Sequence, residues 1–463
     1  MASMETLVAF GLISGIIMAG FIGEIMFRRL GIPGVLLLLA LGYMLGPVTH
    51  QLDVNMLKGI EYIVGPLALA ILLFDGGLDL NIYRLVHESG RGILMAILMM
   101  VTAMLATAGI WMALGYDPLM GAILGAIVGG TTSTIITAIA GKIGISEKAK
   151  QFLVVESALT DVLTVVVTIA LLGVVMTGTA SVQGTGKELA SSFSIGGLIG
   201  AVLGLIWIAL SRKLGGISFS YMLTVAILLF AYLITEYFGA SGAIAALMFG
   251  IMLGNHKEIA TMLRFKDAAE TPNIFRFQSE IGFLVRTFYF VYMGTLVSIT
   301  AGLPVLLGAA VMAGLIVARF VSAKISTFRS DLSQYSKQIN IMMPRGLATA
   351  VMGSYPAFVL LQSQSAIPAN VFAPLYAQAL LFVDISFVVI VVSVVLTAAG
   401  LVFIRVNGNG EKKEGGEGEE SGNGDAGEET EGGAEEGGEG SEAEEEPGNE
   451  PKPKARKRNG ESA

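Results

Sequence analysis

The sequence has no cysteine, three histidines and two tryptophans in 463 residues, and only 14% of it is charged. Without cysteine, disulfides and thiolate metal sites are excluded, and the redox compartment leaves no mark. The histidines, His50, His87 and His256, fall at the ends of apolar segments or between them with no paired spacing, so they carry no metal or sensor role. No H-E-x-x-H, Ser/Lys or paired-histidine constellation is present, which argues against a membrane enzyme. Neither a cofactor nor a nucleic-acid partner is implied.

What the chain has instead is apolar sequence: 54% of it is hydrophobic, gathered into blocks of roughly 17 to 25 residues, the length that crosses a bilayer as a helix. This is the pattern of an all-α integral membrane protein. Glycine, proline and charge punctuation puts spans near 5–27, 33–49, 62–80, 91–114, 118–140, 151–176, 195–211, 219–237, 240–254, 281–299, 303–321, 338–361 and 373–404, about thirteen in all. The first block has no basic flank and no small-residue cleavage site, so it reads as a span and not as a signal peptide.

Charge is unevenly placed. Residues 407–463 hold 18 acidic and 7 basic residues, leaving 19 acidic and 22 basic in residues 1–406, so the transmembrane domain (1–406) is nearly neutral. The Gly/Glu-rich tail (407–463) cannot bury enough apolar surface to offset its ordering entropy and is expected to be disordered. Its terminal basic cluster, "PKPKARKRNG", could touch anionic lipid, but a solvated, functionally dispensable tail is the expectation. Basic residues follow the odd-numbered spans (Arg28 and Arg29, Arg84 and Arg91, Lys142, Lys148 and Lys150, Arg212 and Lys213, Lys257, Arg264, Lys266 and Arg276, Arg319, Lys324, Arg329 and Lys337), whereas only Lys58 and Lys187 follow even-numbered ones. The positive-inside rule then puts the N-terminus outside and the tail in the cytoplasm of a multi-pass cell-membrane protein.

Two spans carry interruptions, "VGGTTSTIITA" (128–138) in the fifth and "MMPRGLATAV" (342–351) in the twelfth. Unwound backbone at membrane depth is tolerated only where protein or a hydrated cavity satisfies its polar groups. The breaks lie seven spans apart, so they run in opposite directions, as inverted repeats with two crossing broken helices require; this favours a secondary transporter.

The sixth span carries the most costly residues, Glu156 and Asp161 in "VVESALTDVLTVVVTIALLGVV" (154–175). At 100° per residue, Ser157, Asp161, Thr164 and Thr168 form a polar stripe that should face a cavity, while Glu156 lies about 140° from Asp161, so the two acids need separate jobs. A buried carboxylate that holds either a proton or a small cation is a workable exchanger, since either partner cancels its charge; Asp161 fits. Hydroxyls of Thr132, Ser157 and Thr160 and backbone carbonyls near Thr131 could complete an oxygen shell for an alkali ion. Arg345, in the twelfth-span break, has no acid in its own segment and wants one from another helix; Glu156 is the expected partner in a structural pair, the alternative being that Arg345 snorkels to the surface. Asp75 and Asp79, in "FDGGLDL", lie at one end of span three, with the deeper Asp75 either lining the ion path or solvated. Arg286 looks to Glu280 for a partner, and Asp384 serves as a second gate or a helix-bonding group.

Taken in order, "FDGGLDL", "GGTTST", "ESALTD", "FYFVYMG" and "PRGLATAV" resemble the monovalent cation/proton antiporter superfamily, in particular the NhaP-like sodium/proton exchangers, over residues 1 to about 405. The resemblance implies thirteen helices, a homodimer and an elevator-like alternating-access cycle. It makes Asp161 the ion-binding aspartate, Ser157 a ligand, Thr131 a residue whose carbonyl or hydroxyl meets the ion, and Glu156 with Arg345 the structural pair. Two departures matter: Thr131-Thr132 stands where Thr-Asp is usual, and Thr160 stands where Asn or Asp precedes the essential aspartate. The first is more like the potassium-linked branch, which leaves sodium and potassium both open; the second leaves one acid in the pair position and makes exchange of one cation for one proton the simpler expectation. A proton-independent cation channel is the leading rival, but the sequence offers no filter-like carbonyl run.

Overall fold

The computed structural model describes residues 4–30, 33–50, 54–82, 90–140, 145–177, 182–213, 220–262, 272–297, 302–365 and 367–414, and these are almost wholly helical with no strand among them. In chain order the helices are α1 (Met4–Leu30), α2 (Gly34–Tyr43, continued by a π turn Met44–Val48), α3 (Val54–Asp79), α4 (Gly90–Ala113), α5 (Pro118–Gly129), α6 (Ser133–Ala140), α7 (Glu147–Thr177), α8 (Val182–Lys213), α9 (Ser220–Tyr237), α10 (Gly242–Gly254), α11 (His256–Met262), α12 (Pro272–Leu296), α13 (Gly302–Ser326), α14 (Ser336–Ile341), α15 (Leu347–Gln362) and α16 (Ala369–Glu414). Residues Met1–Gly410 form one compact unit and Glu411–Ala463 a second, which falls almost wholly outside the described residues. Of the basic residues that set the expected orientation, Arg84, Lys142, Arg264 and Lys266 also lie outside them.

Each of the thirteen segments read as a span coincides with a helix or a broken pair of helices. Among the described residues, seven helices are long and apolar enough to cross a membrane, and four apolar helices are shorter. Several helices outrun their apolar stretch: α3 starts at Val54, α8 at Val182 and α12 at Pro272, and α16 continues to Glu414, past the expected start of the tail. Hydropathy sees only the part that dissolves in lipid, whereas the backbone ladder continues through polar residues until a breaker ends it. Large apolar side chains such as Phe10, Phe21, Leu198 and Leu233 point outward, as a bilayer-facing surface requires.

Without water to drive helices together, small residues decide how close they come. The glycines between α3 and α10 illustrate this: a Cβ at Gly77 in "FDGGLDL" would strike the Leu247 carbonyl, one at Gly254 of α10 would lie 2.5 Å from the Leu78 carbonyl oxygen, and one at Gly250 would strike the Phe74 carbonyl. The close α3–α10 seam fixes α3, and with it Asp75 and Asp79.

Both sequence interruptions are real breaks. α5 is capped by Asp117, whose side chain accepts from the Leu119 N–H at 2.9 Å, with Pro118 at its first position, and it ends at Gly129 because Gly130 turns to extended geometry. α14 stops at Ile341, and Met342–Gly346 stay unwound until α15 begins. The two unwound segments meet: the Thr132 N–H donates to the Pro344 carbonyl at 2.9 Å. A Cβ on Gly346 would come within 2.5 Å of Thr132 Oγ1, so this close approach needs glycine.

Candidate ion-binding site

A break exposes two helix ends, one rich in unpaired carbonyls and one rich in unpaired N–H groups. The carbonyl end of α5 is closed by Arg345, whose Nη1 donates to the Gly129 and Gly130 carbonyls at 2.9 and 2.6 Å, and by Thr349, whose hydroxyl donates to the Ile127 carbonyl at 3.0 Å. The carbonyl end of α14 is closed in the same way by Arg319, with Nε and Nη2 donating to the Ile339 carbonyl at 3.2 and 3.0 Å and Nη2 to the Met342 carbonyl at 2.7 Å. A guanidinium supplies several donors and a full positive charge at the negative end of a helix dipole, so each break has a cation built into it.

The two acids in the apolar stretch of α7 are treated oppositely. Glu156 is fully buried; its Oε1 accepts from Arg319 Nη1 at 2.8 Å and from the Thr131 hydroxyl at 3.0 Å. The expected Glu156–Arg345 pair is therefore corrected. Glu156 pairs with Arg319, and Arg345, buried and not snorkelling, turns its Nη1 to backbone carbonyls while its Nε and Nη2 find no hydrogen-bond partner among the described residues. The sequence groups Arg319 with the basic residues that follow span eleven. The helix runs on to Ser326, and Arg319 falls on its buried face with Val311, Leu315, Ser322 and Ser326.

Asp161 is half-buried, and its Oδ2 accepts from Ser133 twice, from the backbone N–H at 3.1 Å and from the hydroxyl at 3.2 Å. Ser133 is the first residue of α6, so the carboxylate sits against the N–H end of the broken helix, where the dipole favours negative charge. Beside it opens a cavity of about 330 Å³, lined by Asp75, Asp79, Thr132, Ser133, Asp161 and Arg286 among others. Thr132 and Arg286 also line a second cavity of about 160 Å³, which reaches Glu24 on α1. Both face the meeting point of the breaks.

Of the residues read as ion-binding, Asp161, Thr132 and Asp75 line the larger cavity, and Ser157, Thr131 and Thr160 do not. Those three are packed behind it. The Ser157 hydroxyl is spent on the Val154 carbonyl of its own helix at 3.0 Å, whereas Thr160 Oγ1 accepts from the Thr131 N–H at 3.1 Å and ties the break to α7. The polar stripe faces the unwound segment, with Asp161 opposite Ser133 and a Cβ on Gly130 colliding with Thr164; Thr164 and Thr168 are buried, and only Asp161 opens to the cavity. Arg286 lines the cavity with three aspartates, not beside Glu280 alone as the sequence suggested; Glu280 is exposed. Ser133 was missed. Its signal was its position as the first helical residue after "GGTT", where free N–H groups gather. No cluster of acids and histidines suited to a resident metal occurs among the described residues.

The family profile for the transmembrane domain of sodium/hydrogen exchangers matches residues 15–405. The chain belongs to the sodium/hydrogen exchanger family. Over 309 residues it is 28% identical to the potassium/proton antiporter NhaP of Alkalimonas amylolytica, a match covering 64% of this chain and 50% of that one. Over 419 residues it is 25% identical to a probable sodium/proton antiporter 2 of Methanocaldococcus jannaschii, covering 86% and 96%. The chain thus spans half the length of the first of these relatives and nearly all of the second. The sodium/proton antiporter MjNhaP1 of Methanocaldococcus jannaschii has the same exchanger fold, with a TM-score of 0.72 at 22% identity over 87% of this chain and 99% of that one.

Proposed function

We propose that this exchanger-family chain is a secondary active transporter that swaps a monovalent cation, Na+ or K+, for H+ at Asp161, one for one. The observation that carries the reading is the contrast between the two acids in the apolar stretch of α7. Glu156 has its charge cancelled by Arg319 at 2.8 Å, whereas Asp161 accepts hydrogen bonds from neutral donors, makes no ion pair among the described residues, and faces a cavity whose charged lining is otherwise Asp75, Asp79 and Arg286. A carboxylate kept from full solvation without an ion-pair partner in contact takes a cation from outside, and a proton or an alkali ion serves equally. Asp75 and Asp79 in the same cavity would draw cations toward it. The relatives described as potassium/proton and sodium/proton antiporters support both ions as passengers.

Alternating access by an elevator-like movement, a homodimer in the lipid of the cell membrane, an outside N-terminus and a cytoplasmic acidic tail complete the proposal. They rest on the exchanger fold and the distribution of basic residues. The test is proton flux in proteoliposomes with sodium, lithium and potassium presented separately over a pH series. The apparent cation affinity should weaken as the medium becomes more acidic, and Asp161→Asn should abolish cation-driven proton movement. Exchange that survives in Asp161→Asn, or an affinity indifferent to acidity, overturns the assignment; cation flux without any proton movement identifies a channel.

A further inference from the structure

We propose that Ser133 is the positioning residue that makes proton and cation mutually exclusive, by reserving one oxygen of Asp161 and leaving the other to a single passenger. The proposal deepens, and rests on, the reading of Asp161 as the exchange group. Ser133 gives both of its donors to Oδ2, the N–H at 3.1 Å and the hydroxyl at 3.2 Å, and among the described residues no hydrogen bond reaches Oδ1. A proton landing on Oδ2 would face two hydrogens already pointing at that oxygen, so protonation is directed to Oδ1. A cation entering from the cavity meets the same oxygen. Competition is then a matter of one occupied position, beyond mere cancellation of charge.

The hydroxyl has a second use. Having donated its hydrogen to Oδ2, Ser133 Oγ keeps its lone pairs, and Ser133 lines the cavity together with Thr132. It can therefore donate to the carboxylate and accept a cation at the same time, as an oxygen ligand suited to an alkali ion. Other charged groups set the background field: Asp75 and Asp79 on α3, Arg286 on α12, and, behind the site, Arg345 and the Glu156–Arg319 pair. None of these donates to Oδ2, so the effect of Ser133 can be separated from theirs by changing Ser133 alone.

Three substitutions grade the contribution. Ser133→Ala removes the hydroxyl but keeps the N–H. Ser133→Pro removes both donors at a first-turn helix position where proline is tolerated and after a residue already unwound. Ser133→Thr restores the hydroxyl. Because hydrogen bonds to the ionised form are what hold a carboxylate ionised, their loss lets the proton win the competition.

In proteoliposomes, the apparent KM for sodium or potassium should rise on the order of tenfold in Ser133→Ala, the worth of one hydrogen bond to a charge. The rise should be larger at acid than at alkaline pH, larger again in Ser133→Pro, and reversed in Ser133→Thr. Transport that slows in Ser133→Ala with an unchanged dependence of KM on pH would make Ser133 a packing residue and end the proposal while leaving Asp161 in place. Loss of the parent reading shows separately, as exchange persisting in Asp161→Asn. Should Ser133→Pro fail to fold, Ser133→Ala and Ser133→Thr still decide the matter.

Discussion

Arg319→Met is the perturbation that most directly probes the interior of the exchanger. It removes a 2.8 Å contact to a fully buried Glu156 and strips the Ile339 and Met342 carbonyls of their donors. Breaking a buried ion pair by removing one partner costs about 3–5 kcal/mol, and each carbonyl left bare adds about 1–3 kcal/mol. A total of roughly 5–11 kcal/mol is comparable with the whole stability of an ordinary fold, so little folded protein should accumulate. Most of the first part comes from the stranded carboxylate and not from the lost attraction. Adding Glu156→Gln should therefore return about 3 kcal/mol, and the double variant should be recovered where the single one is not. Arg345→Met is the control, since that guanidinium bonds the Gly129 and Gly130 carbonyls and no carboxylate. The assay is the folded fraction surviving a temperature series in detergent, read by size-exclusion chromatography for the three single and two double variants. Rescue of Arg345→Met by Glu156→Gln as strong as that of Arg319→Met would refute the pairing.

Other consequences follow from the same geometry. Gly346→Ala should drive a methyl into Thr132 and part the two breaks, abolishing exchange in vesicles; Thr132→Gly in the same chain should recover part of it, because the nearest atoms are Thr132 Oγ1 and Cβ at 2.5 and 2.6 Å. Thr349→Val removes one donor from the carbonyl end of α5 and should lower stability by about 1 kcal/mol, measurable as a modest loss in the same heating series. Truncation after Glu414 should leave proton flux intact, since every residue assigned to the site lies within Met1–Gly410; a large loss of flux would bring the tail into the mechanism.

The parts of this architecture legible in the sequence are those with a local signature. Glycine-rich and proline-containing interruptions in apolar spans can hardly be helix, and both breaks stand where "GGTT" and "MPRG" put them. An aspartate in the middle of an apolar helix is equally plain. What escaped was pairing across helices. Arg345 needed partners from elsewhere, and the sequence suggested a carboxylate because an acid is visible as a letter; the carbonyls of Gly129 and Gly130 are in every residue and so in none. Arg319 was hidden for the opposite reason. It stands close to Lys324 and Arg329, and the positive-inside grammar absorbed all three. Its helical register with Val311 and Leu315 was the available clue that it faces inward.

The apolar stretch of one helix thus carries two acids whose opposite surroundings make a contrast that can be measured without transport. Glu156 is structural because its charge is matched at 2.8 Å; removing that charge strands Arg319, so Glu156→Gln should lower stability by about 3–5 kcal/mol. Asp161 has no such partner. Its two hydrogen bonds from Ser133 can be accepted as well by an amide oxygen, so Asp161→Asn keeps the donors satisfied while relieving the desolvated charge. The asparagine variant should therefore fold at least as stably as the parent in the absence of added cation, even though it cannot exchange. Sodium or potassium should raise the melting temperature of the parent and leave that of Asp161→Asn unmoved, because only a ligand that binds the native site shifts its stability. Equal destabilisation by Glu156→Gln and Asp161→Asn would mean that both acids are held by fixed counter-charges, and a carboxylate held that way has no reason to trade one passenger for another.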